Sequence, residues 1–132
     1  MPEPANPSRT WMTYREAAQK LGRNTSIELA EYTELARIDH SMIVVKYLET
    51  IVVRINRNGS YQLDSNGGWS PARSIINRHS PAKLLIDIVG RWVIHARDRS
   101  GWNAMYVDGM IIDRFGREIC RRHNRLTQHN AA

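Results

Sequence analysis

The dipeptide Asn58-Gly59 is the feature of this sequence that most constrains its fold. Asn-Gly between two runs of β-forming residues is the strongest short-range sign of a β-hairpin, because both residues tolerate the backbone angles of a tight turn. The run before it, residues 50–56, is rich in isoleucine and valine, and the run after it, residues 60–64, alternates in polarity. We therefore expect an antiparallel hairpin built from these two segments.

Strand-length segments of the same kind recur along the chain. They are residues 26–32, 41–46, 84–88, 91–96, 102–107 and 110–112. We expect a turn at Gly90 to join the strands on either side of it, and the turn Asp108-Gly109 to form a second hairpin. No apolar run approaches the ~20 residues of a transmembrane helix, so we expect no membrane association.

A capping signal predicts a helix over residues 12–21. Thr13 is followed three residues later by Glu16, the spacing of a capping box, and Gly22 fits the C-terminal end. The same segment resembles the first helix of excisionase-type DNA-binding domains, whose recognition helix would follow directly. Residues 26–31 instead carry two glutamates and no basic residue, and phosphates would repel them. Nucleic-acid binding remains an alternative that would use another part of the chain.

Two further helices are predicted from proline and arginine patterns. Ser70 and Pro71 suit the start of a short helix that ends before Pro81. Residues 114–125 hold five arginines against one glutamate, and at helical spacing four of the arginines would share one face. These four are Arg114, Arg117, Arg121 and Arg125. The expected fold class is α+β: an antiparallel sheet with an N-terminal helix, an inserted short helix and a basic C-terminal helix.

The 132 residues suit a single domain. We expect a flexible arm over residues 1–10, one α+β domain over residues 11–126 and a flexible tail over residues 127–132. The first residues lack the basic and apolar regions of a signal peptide. The single cysteine, Cys120, excludes an internal disulfide and a cysteine-based zinc site. These features favour a cytoplasmic protein.

The excess of positive charge points to an anionic partner. Lysine and arginine number 19 against 13 acidic residues, which gives a net charge of +6, and only three of the basic residues are lysines. Arginine presents a planar fork that matches phosphate and stacks on aromatic rings, whereas lysine is a hydrated point charge. The bias favours a phosphate-bearing ligand; a solvated basic surface without a ligand is the plainer alternative.

The sequence contains no common catalytic or metal-binding motif. It has no HExxH, no P-loop and no GxGxxG, and its five histidines form no ligand pair at helical spacing beside a carboxylate. Cys120 has only His123 close to it as a base. We therefore expect a protein that is not an enzyme and that uses no metal and no cofactor. An enzyme that relies on Cys120 or the histidines remains a third alternative.

The order of several short motifs resembles a family of small phage and prophage proteins. The family pattern is an NNT start, a strand–turn–strand, a GGW turn and a helix that ends in INR and a proline. The matching segments here are Asn24-Thr25, the strands around Asn58-Gly59, Gly67-Gly68-Trp69 and Ile76-Asn77-Arg78 with Pro81. The resemblance covers residues 21–81, about half of the chain. The sequence departs from the pattern at Arg23, where asparagine is usual, and in a longer segment between Tyr32 and Met42.

This resemblance extends to the Thoeris anti-defence sponges, and it implies a function. Those phage proteins are oligomers that sequester cyclic ADP-ribose isomers made by bacterial TIR-domain immune enzymes, and some also bind the cyclic oligonucleotides of CBASS immunity. The resemblance therefore implies a phage protein that sequesters a nucleotide signal, without catalysis, in the host bacterial cytoplasm during infection. The alternative is a DNA- or RNA-binding phage regulator that uses the arginine-rich C-terminal segment.

A nucleotide ligand needs arginine forks for its phosphates and an aromatic face for its base. The candidate ligand-binding residues are Arg78, Trp92, Trp102, Asn103, Arg114, Arg117 and Arg121. The amide of Asn103 suits a base edge or a ribose hydroxyl. Each tryptophan is also a candidate for the core, most clearly Trp92, which lies in an apolar segment. We also expect a homo-oligomer, because an exposed sheet edge and a one-sided basic helix are surfaces for another copy.

Overall fold

The computed structural model of the chain describes residues 9–119, which form two helices and ten strands. The helices are α1 (Tyr14–Leu21) and α2 (Ser70–His79). The strands are β1 (Ser26–Ala30), β2 (Thr33–Asp39), β3 (Met42–Tyr47), β4 (Thr50–Asn56), β5 (Tyr61–Leu63), β6 (Ala82–Ile86), β7 (Trp92–Ala96), β8 (Asn103–Met105), β9 (Ile111–Ile112) and β10 (Glu118–Ile119). Neighbouring strands pair antiparallel, so the expected α+β class is confirmed. No helix within residues 9–119 has the length and apolar character needed to cross a bilayer.

The strands form two sheets that share one hydrophobic core. The larger sheet has the order β1-β2-β3-β4-β5-β9-β10, and the smaller sheet has the order β6-β7-β8. Leu35 and Val53 of the larger sheet lie in the same buried cluster as Leu84 and Ile94 of the smaller sheet and Ile76 of α2. Helix α2 contacts β3 and β4 on one sheet and β6 on the other. This helix therefore lies at the junction of the two sheets.

The hairpin predicted at Asn58-Gly59 is confirmed. Strands β4 and β5 pair with each other, and Asn56 donates its backbone N–H to the carbonyl oxygen of Ser60 at 2.9 Å. Gly59 has φ +95°, as expected for the last residue of a three-residue hairpin loop. The side-chain oxygen of Asn58 accepts the N–H of Ser60 at 2.9 Å. Residues within this one loop are therefore sufficient to close it.

The predicted capping of α1 is also confirmed. The Thr13 hydroxyl accepts the Glu16 N–H at 3.1 Å, and the Glu16 carboxylate accepts the Thr13 N–H at 2.9 Å. Gly22 ends the helix with φ +58°. The next element is strand β1, so no recognition helix follows α1, in agreement with the acidic character of that segment.

The larger sheet contains a strand, β2, that the sequence patterns did not predict. The single strand predicted over residues 26–32 ends at Ala30, and the chain reverses at Tyr32, which has φ +60°. The turn between β3 and β4 is similar, because Leu48 and Glu49 both have positive φ. Such turns usually contain glycine or asparagine. Neither turn contains glycine or asparagine, so the sequence contained no sign that the chain reverses at Tyr32. The first strand was therefore predicted to continue to residue 32, two residues beyond its end at Ala30.

The prediction that Asp108-Gly109 forms a hairpin is wrong. The preceding strand, β8, belongs to the smaller sheet, and the following strand, β9, belongs to the larger one. The Asp108 carboxylate accepts the backbone N–H groups of Ser65 and Gly67 at 2.8 and 2.9 Å. Gly109 donates its N–H to the carbonyl of Leu63. These hydrogen bonds to residues 63–67 hold the segment in which the chain passes from the smaller sheet to the larger one.

The prediction of a basic C-terminal helix is wrong over residues 114–119. This stretch is the turn between β9 and β10 followed by β10 itself. The Asp113 carboxylate accepts the backbone N–H groups of Phe115 and Arg117, and Gly116 has φ +88°. Asp113 and Gly116 therefore favour a turn where the spacing of the arginines had predicted a helix. The remainder of the predicted helix lies outside the described residues, as do the predicted tail and residues 1–8 of the predicted arm.

Candidate functional site: the α2 groove

Helix α2 separates apolar and polar residues according to the helical period. Its buried residues are Ala72, Ile75, Ile76 and His79. The polar residues Ser70, Arg73, Ser74 and Asn77 recur at steps of three and four, and Arg78 follows them. One side of α2 is therefore held by the core, while the other presents cationic and hydroxyl groups. The first turn of α2 contains no acidic residue that would offset this charge.

The polar side of α2 lines an open groove of about 820 Å³, here called the α2 groove. Its lining residues are Thr10, Ser70, Pro71, Arg73, Ser74, Asn77 and Arg78. The groove thus contains two guanidinium groups, three hydroxyls and one amide, and none of the described residues that line it is acidic. Guanidinium and hydroxyl groups donate hydrogen bonds, and a phosphate or carboxylate accepts them. The lining is therefore complementary to an anion.

The chain segment before α1 forms the other wall of the groove. The Thr10 hydroxyl donates to the carbonyl oxygen of Arg78, and the Tyr61 hydroxyl donates to the carbonyl oxygen of Met12 at 2.8 Å. Burial raises the pKa of Tyr61 to about 12, so this hydroxyl keeps its proton at neutral pH. These two bonds attach the segment to α2 on one side and to β5 on the other.

An aromatic ring and two guanidinium groups adjoin this wall. The ring of Trp11 lies 5.9 Å from the Arg9 guanidinium carbon and 5.5 Å from that of Arg97, within the range of cation–π attraction. Arg97 also donates to the carbonyl oxygens of Asn77 and Ala82. Arg97 is therefore occupied in joining α2 to β6, whereas Trp11 places a half-buried aromatic ring directly after Thr10.

Asn77 has a positioning role within the lining. Its side-chain oxygen accepts the N–H of Leu84 at 2.5 Å, and its amide nitrogen donates to the carbonyl of Leu84 at 3.0 Å. Both ends of the amide are thus bonded to β6. The side chains left to meet a ligand are mainly Arg73 and Arg78, together with the hydroxyls of Ser70 and Ser74.

Of the predicted ligand-binding residues within the described range, Arg78 alone lines the α2 groove. Trp92 and Trp102 are half-buried and pack against the core. The ring of Trp92 lies 6.0 Å from that of Tyr106 at an angle of 41°. Asn103 is exposed on β8, and its amide donates to the carbonyl of Gly101 at 3.1 Å. The structure thus favours the core alternative for the two tryptophans.

The two described arginines of the predicted C-terminal helix, Arg114 and Arg117, lie in a turn and not on a helical face. Arg114 is exposed, and its guanidinium lies 4.8 Å from the Phe115 ring. The Nε of Arg117 lies 3.6 Å from the Asp98 carboxylate and 3.8 Å from that of Asp113, so two carboxylates lie close to its charge. Arg121 lies outside the described residues. The predicted site is therefore divided among α2, the smaller sheet and the turn before β10.

The sequence analysis missed Arg73, Ser70, Ser74 and Thr10 as site residues. Three of them lie on α2 at helical spacing, and a search for polar residues opposite its apolar side would have found them. Thr10 carries no such signal, because its neighbour in the groove is 68 positions away in the chain.

Two other grooves differ from the α2 groove in their charge. One of about 800 Å³ is lined by Thr13, Tyr14, Arg15, Ala18, Arg37, Asp39, His40, Arg57 and Gly59. It includes a carboxylate whose pKa is lowered by hydrogen bonds from Ser41. The other, of about 470 Å³, is lined by Glu28, Glu31, Tyr32, Thr33, Glu34, Leu48 and Glu49. Counting only residues of the range 9–119, the α2 groove is the one of these three whose lining has arginines and no acidic residue. Residues 9–119 contain no cluster of three or more histidine, cysteine or acidic residues suited to a metal ion.

No protein-family model matches the chain, and neither a curated protein nor a solved structure matches it. The resemblance to phage proteins therefore stays a prediction from short motifs.

Proposed function

We propose that this chain is a non-catalytic protein that binds a phosphate-bearing small nucleotide in the α2 groove. The observation that carries the proposal is that Arg73 and Arg78 line one groove together with the hydroxyls of Ser70 and Ser74, and that within residues 9–119 no acidic side chain joins them. Charge-assisted hydrogen bonds from guanidinium groups are among the strongest that a protein offers to phosphate. The motif resemblance adds the biological role: a phage sponge that sequesters a nucleotide immune signal in the bacterial cytoplasm.

The groove is open to solvent and large enough for a small ligand. Its volume of about 820 Å³ lies in the ~300–1,000 Å³ range of small-molecule sites. Arg73 and Arg78 are five residues apart on α2, which separates their Cα atoms by ~7.5 Å along the helix axis. They are also ~140° apart around the helix axis, so the two guanidinium groups approach the groove from its two sides, where each can meet a different phosphate group. Trp11 follows Thr10 in the chain, but it packs against the core and does not line the groove, so the described lining residues offer a ligand polar and cationic contacts and no aromatic ring.

Binding without reaction follows from the chemistry of the lining. Guanidinium, hydroxyl and carboxamide groups bind phosphate, but none of them is a good general base at neutral pH. A sponge needs a slow dissociation rate rather than turnover. We therefore expect the ligand to be recovered unchanged after the complex is denatured, as chromatography of the released nucleotide would measure. Recovery of an altered nucleotide would contradict this part of the proposal.

The test of the site is calorimetry with cyclic ADP-ribose and a cyclic dinucleotide as probes. The variant Arg73→Ala with Arg78→Ala removes both guanidinium groups from exposed or half-exposed positions of α2. Two charge-assisted bonds are lost, so the affinity should fall by about a hundredfold or more. The melting temperature should change little, because neither side chain belongs to the buried core.

The matched control is Arg23→Ala with Arg114→Ala, which removes the same charge from two exposed positions outside the groove. We expect the control to bind like the unchanged chain. An equal loss in both variants would mean general electrostatic attraction and would overturn the α2 groove as the site. The alternative, a regulator that binds DNA or RNA, predicts weak binding of both probes and duplex binding that decreases steeply with salt.

A further inference from the structure

A second cationic groove lies where α1 meets the turn between β2 and β3 and the loop between β4 and β5. It is the groove of about 800 Å³ whose lining includes Tyr14, Arg15 and Ala18 of α1, and we call it the α1 groove. Arg37 of β2 and Arg57 of the loop after β4 line it as well. Three arginines from three separate segments of the chain are thus brought to one groove.

Hydrogen bonds hold these three segments together. The Tyr14 hydroxyl donates to the carbonyl oxygen of His40 at 2.7 Å, which joins α1 to the turn between β2 and β3. Arg57 donates its backbone N–H to the carbonyl oxygen of Ser41 at 2.8 Å, which joins the loop after β4 to the same turn. The shape of the α1 groove is therefore set by contacts within the fold and is formed before a ligand arrives.

Arg37 occupies a position of the larger sheet that would suit an apolar side chain. It lies directly opposite Ile43, which in turn lies opposite Ile55, and both isoleucines are buried in the core. Directly opposite residues of antiparallel strands point to the same side of the sheet, so Arg37 projects from the core side. It is half-buried there, and its guanidinium donates a long hydrogen bond of 3.4 Å to the carbonyl oxygen of Gly22.

The three guanidinium groups lack a carboxylate partner among the described residues. None of the ion pairs within residues 9–119 includes Arg15, Arg37 or Arg57. The acidic side chain in the described lining is Asp39, and one of its oxygens accepts both the N–H and the hydroxyl of Ser41 at 2.7 Å. A half-buried charge without a partner of opposite sign is costly, so an anion bound in the α1 groove would stabilise this arrangement.

We propose that the α1 groove binds a chain of linked phosphate groups, such as that of inorganic tripolyphosphate or of a nucleoside triphosphate. Guanidinium forks match phosphate oxygens, and three forks from separate segments suit several linked phosphates better than a single one. Three arginines against one aspartate in the described lining favour a ligand with more than one negative charge. The site is distinct from the α2 groove, because the two linings have no described residue in common.

A nucleic-acid duplex fits the α1 groove less well. The phosphates of a duplex lie on the outside of a rigid helix and are met by basic side chains on a protein surface. Arg15 and Arg57 are exposed, but Arg37 is half-buried on the core side of the sheet. A flexible phosphate chain can enter the groove and reach all three guanidinium groups, whereas a duplex meets only the two exposed ones.

The test is calorimetry with tripolyphosphate on the full chain carrying Arg73→Ala and Arg78→Ala, here called the parent chain, in which the α2 groove lacks its guanidinium groups. We expect one tripolyphosphate bound per chain. Adding Arg37→Gln, which keeps a long polar side chain, should lower the affinity about tenfold to a hundredfold, because one charge-assisted contact is lost. A merely structural role of Arg37 would instead change the melting temperature without ligand and leave the affinity unaltered, which would overturn its place in the site.

The variant Arg15→Ala with Arg57→Ala tests the same groove without touching the half-buried position. Both side chains are exposed, so the chain should fold even if Arg37→Gln does not. We expect the affinity of the parent chain for tripolyphosphate to fall about a hundredfold or more, because two charge-assisted contacts are lost. The matched control is Arg23→Ala with Arg114→Ala, which removes the same charge from exposed positions outside the groove and should leave the affinity unchanged.

The matched control for Arg37→Gln is Arg54→Gln. Arg54 is also half-buried, but its neighbours Val53 and Ile55 lie in the core, so its side chain projects from the opposite face of the same sheet. We expect this control to bind tripolyphosphate like the parent chain. Equal losses in Arg37→Gln and Arg54→Gln would overturn the inference, as would the absence of tripolyphosphate binding by both the unchanged chain and the parent chain.

A second titration, with ATP, distinguishes the two sources of the phosphate chain. An affinity for ATP equal to or below that for tripolyphosphate would identify the phosphate chain alone as the ligand, and a higher affinity would identify a nucleotide; both results support the inference. A DNA duplex that binds more tightly than tripolyphosphate, and loses affinity in the same variants, would overturn it. The proposed function would survive that failure, because it is tested with cyclic ADP-ribose and with the arginines of the α2 groove.

Discussion

At the scale of single residues, His79 is the side chain whose chemistry most clearly depends on burial. It lies in the last turn of α2 with 7% of its surface exposed. Burial lowers its pKa to about 4, and the neighbouring charge of Arg78 acts in the same direction. The folded chain therefore keeps His79 neutral at a pH where a histidine in the unfolded chain, with a pKa near 6.5, is protonated.

This difference predicts that the fold becomes less stable in weak acid. Between pH 6.5 and pH 4 the unfolded chain binds more protons than the folded chain, so the free energy of unfolding decreases as the pH falls. The loss should reach roughly 2–3 kcal/mol at about pH 4.5. Urea unfolding at neutral pH and at about pH 4.5 measures it.

The control for this prediction is His79→Phe, which keeps a flat ring but cannot take up a proton. Its stability should depend less on pH over the same range. Asp39 and Asp87 also have lowered pKa values, but they lose their contribution only near and below pH 4, where the unfolded carboxylates are protonated. An equal pH dependence in both chains would contradict the role assigned to His79.

At the scale of secondary-structure elements, the turn between β9 and β10 is fixed by its contact with the chain between α2 and β6. A Cβ atom at Gly116 would lie 2.5 Å from the carbonyl oxygen of Pro81. The backbone of Gly116 has φ +88°, which is strained for any residue other than glycine. We expect Gly116→Ala to destabilise the fold by at least about 2 kcal/mol, because both the clash and the strain oppose it.

The matched control is Gly101→Ala. Gly101 also has positive φ, +75°, but no atom lies within 4 Å of its built Cβ. Only backbone strain remains, and the cost should be about 1 kcal/mol. Thermal unfolding of the two variants separates these contributions. Equal losses would mean that the contact with Pro81 contributes nothing.

Elements were predictable where local chemistry specifies them. The capping box at Thr13 and Glu16 and the loop at Asn58-Gly59 close hydrogen bonds within four residues, so their signals are visible in the sequence. The turns at Tyr32 and at Leu48-Glu49 place ordinary residues at positive φ. Pairing of the flanking strands compensates for this strain, and that pairing is not visible in a local window.

At the scale of the whole molecule, both sheets contribute to one buried cluster, so we expect residues 9–119 to unfold in one cooperative transition. Leu84 of the smaller sheet is fully buried in that cluster. Leu84→Ala should lower the free energy of unfolding by roughly 2–5 kcal/mol. The loss should appear equally in far-ultraviolet circular dichroism and in tryptophan fluorescence, because the two sheets unfold together.

The control is Lys83→Ala, one residue earlier on the exposed side of the same strand, with an expected change of less than about 0.5 kcal/mol. An early fluorescence change in Leu84→Ala, with the β-sheet dichroism unaffected, would contradict a shared core. The smaller sheet would then be a separate folding unit.

The candidate site illustrates how far sequence reasoning reached. The excess of arginine predicted an anionic ligand, and Arg78, one of the predicted ligand-binding residues, lines the α2 groove. The helical period of α2 is sufficient to group Arg73 with Ser70 and Ser74 on one side of the helix. The arginine periodicity was misleading over residues 114–119, since Asp113 and Gly116 form the turn between β9 and β10 and Arg117 lies near Asp98.

The sequence by itself determined the α+β class, the capped helix α1, the helix α2 with proline in its first turn, and the Asn58-Gly59 hairpin. The signals for these elements come from residues that are close in the chain. Only the tertiary structure decided which sheet each late strand joins and where the groove lies. Asp108 bonds to a turn 43 positions earlier, and Thr10 bonds to a carbonyl 68 positions later. Such contacts form only when the core brings distant segments together, and no periodicity in the sequence records them.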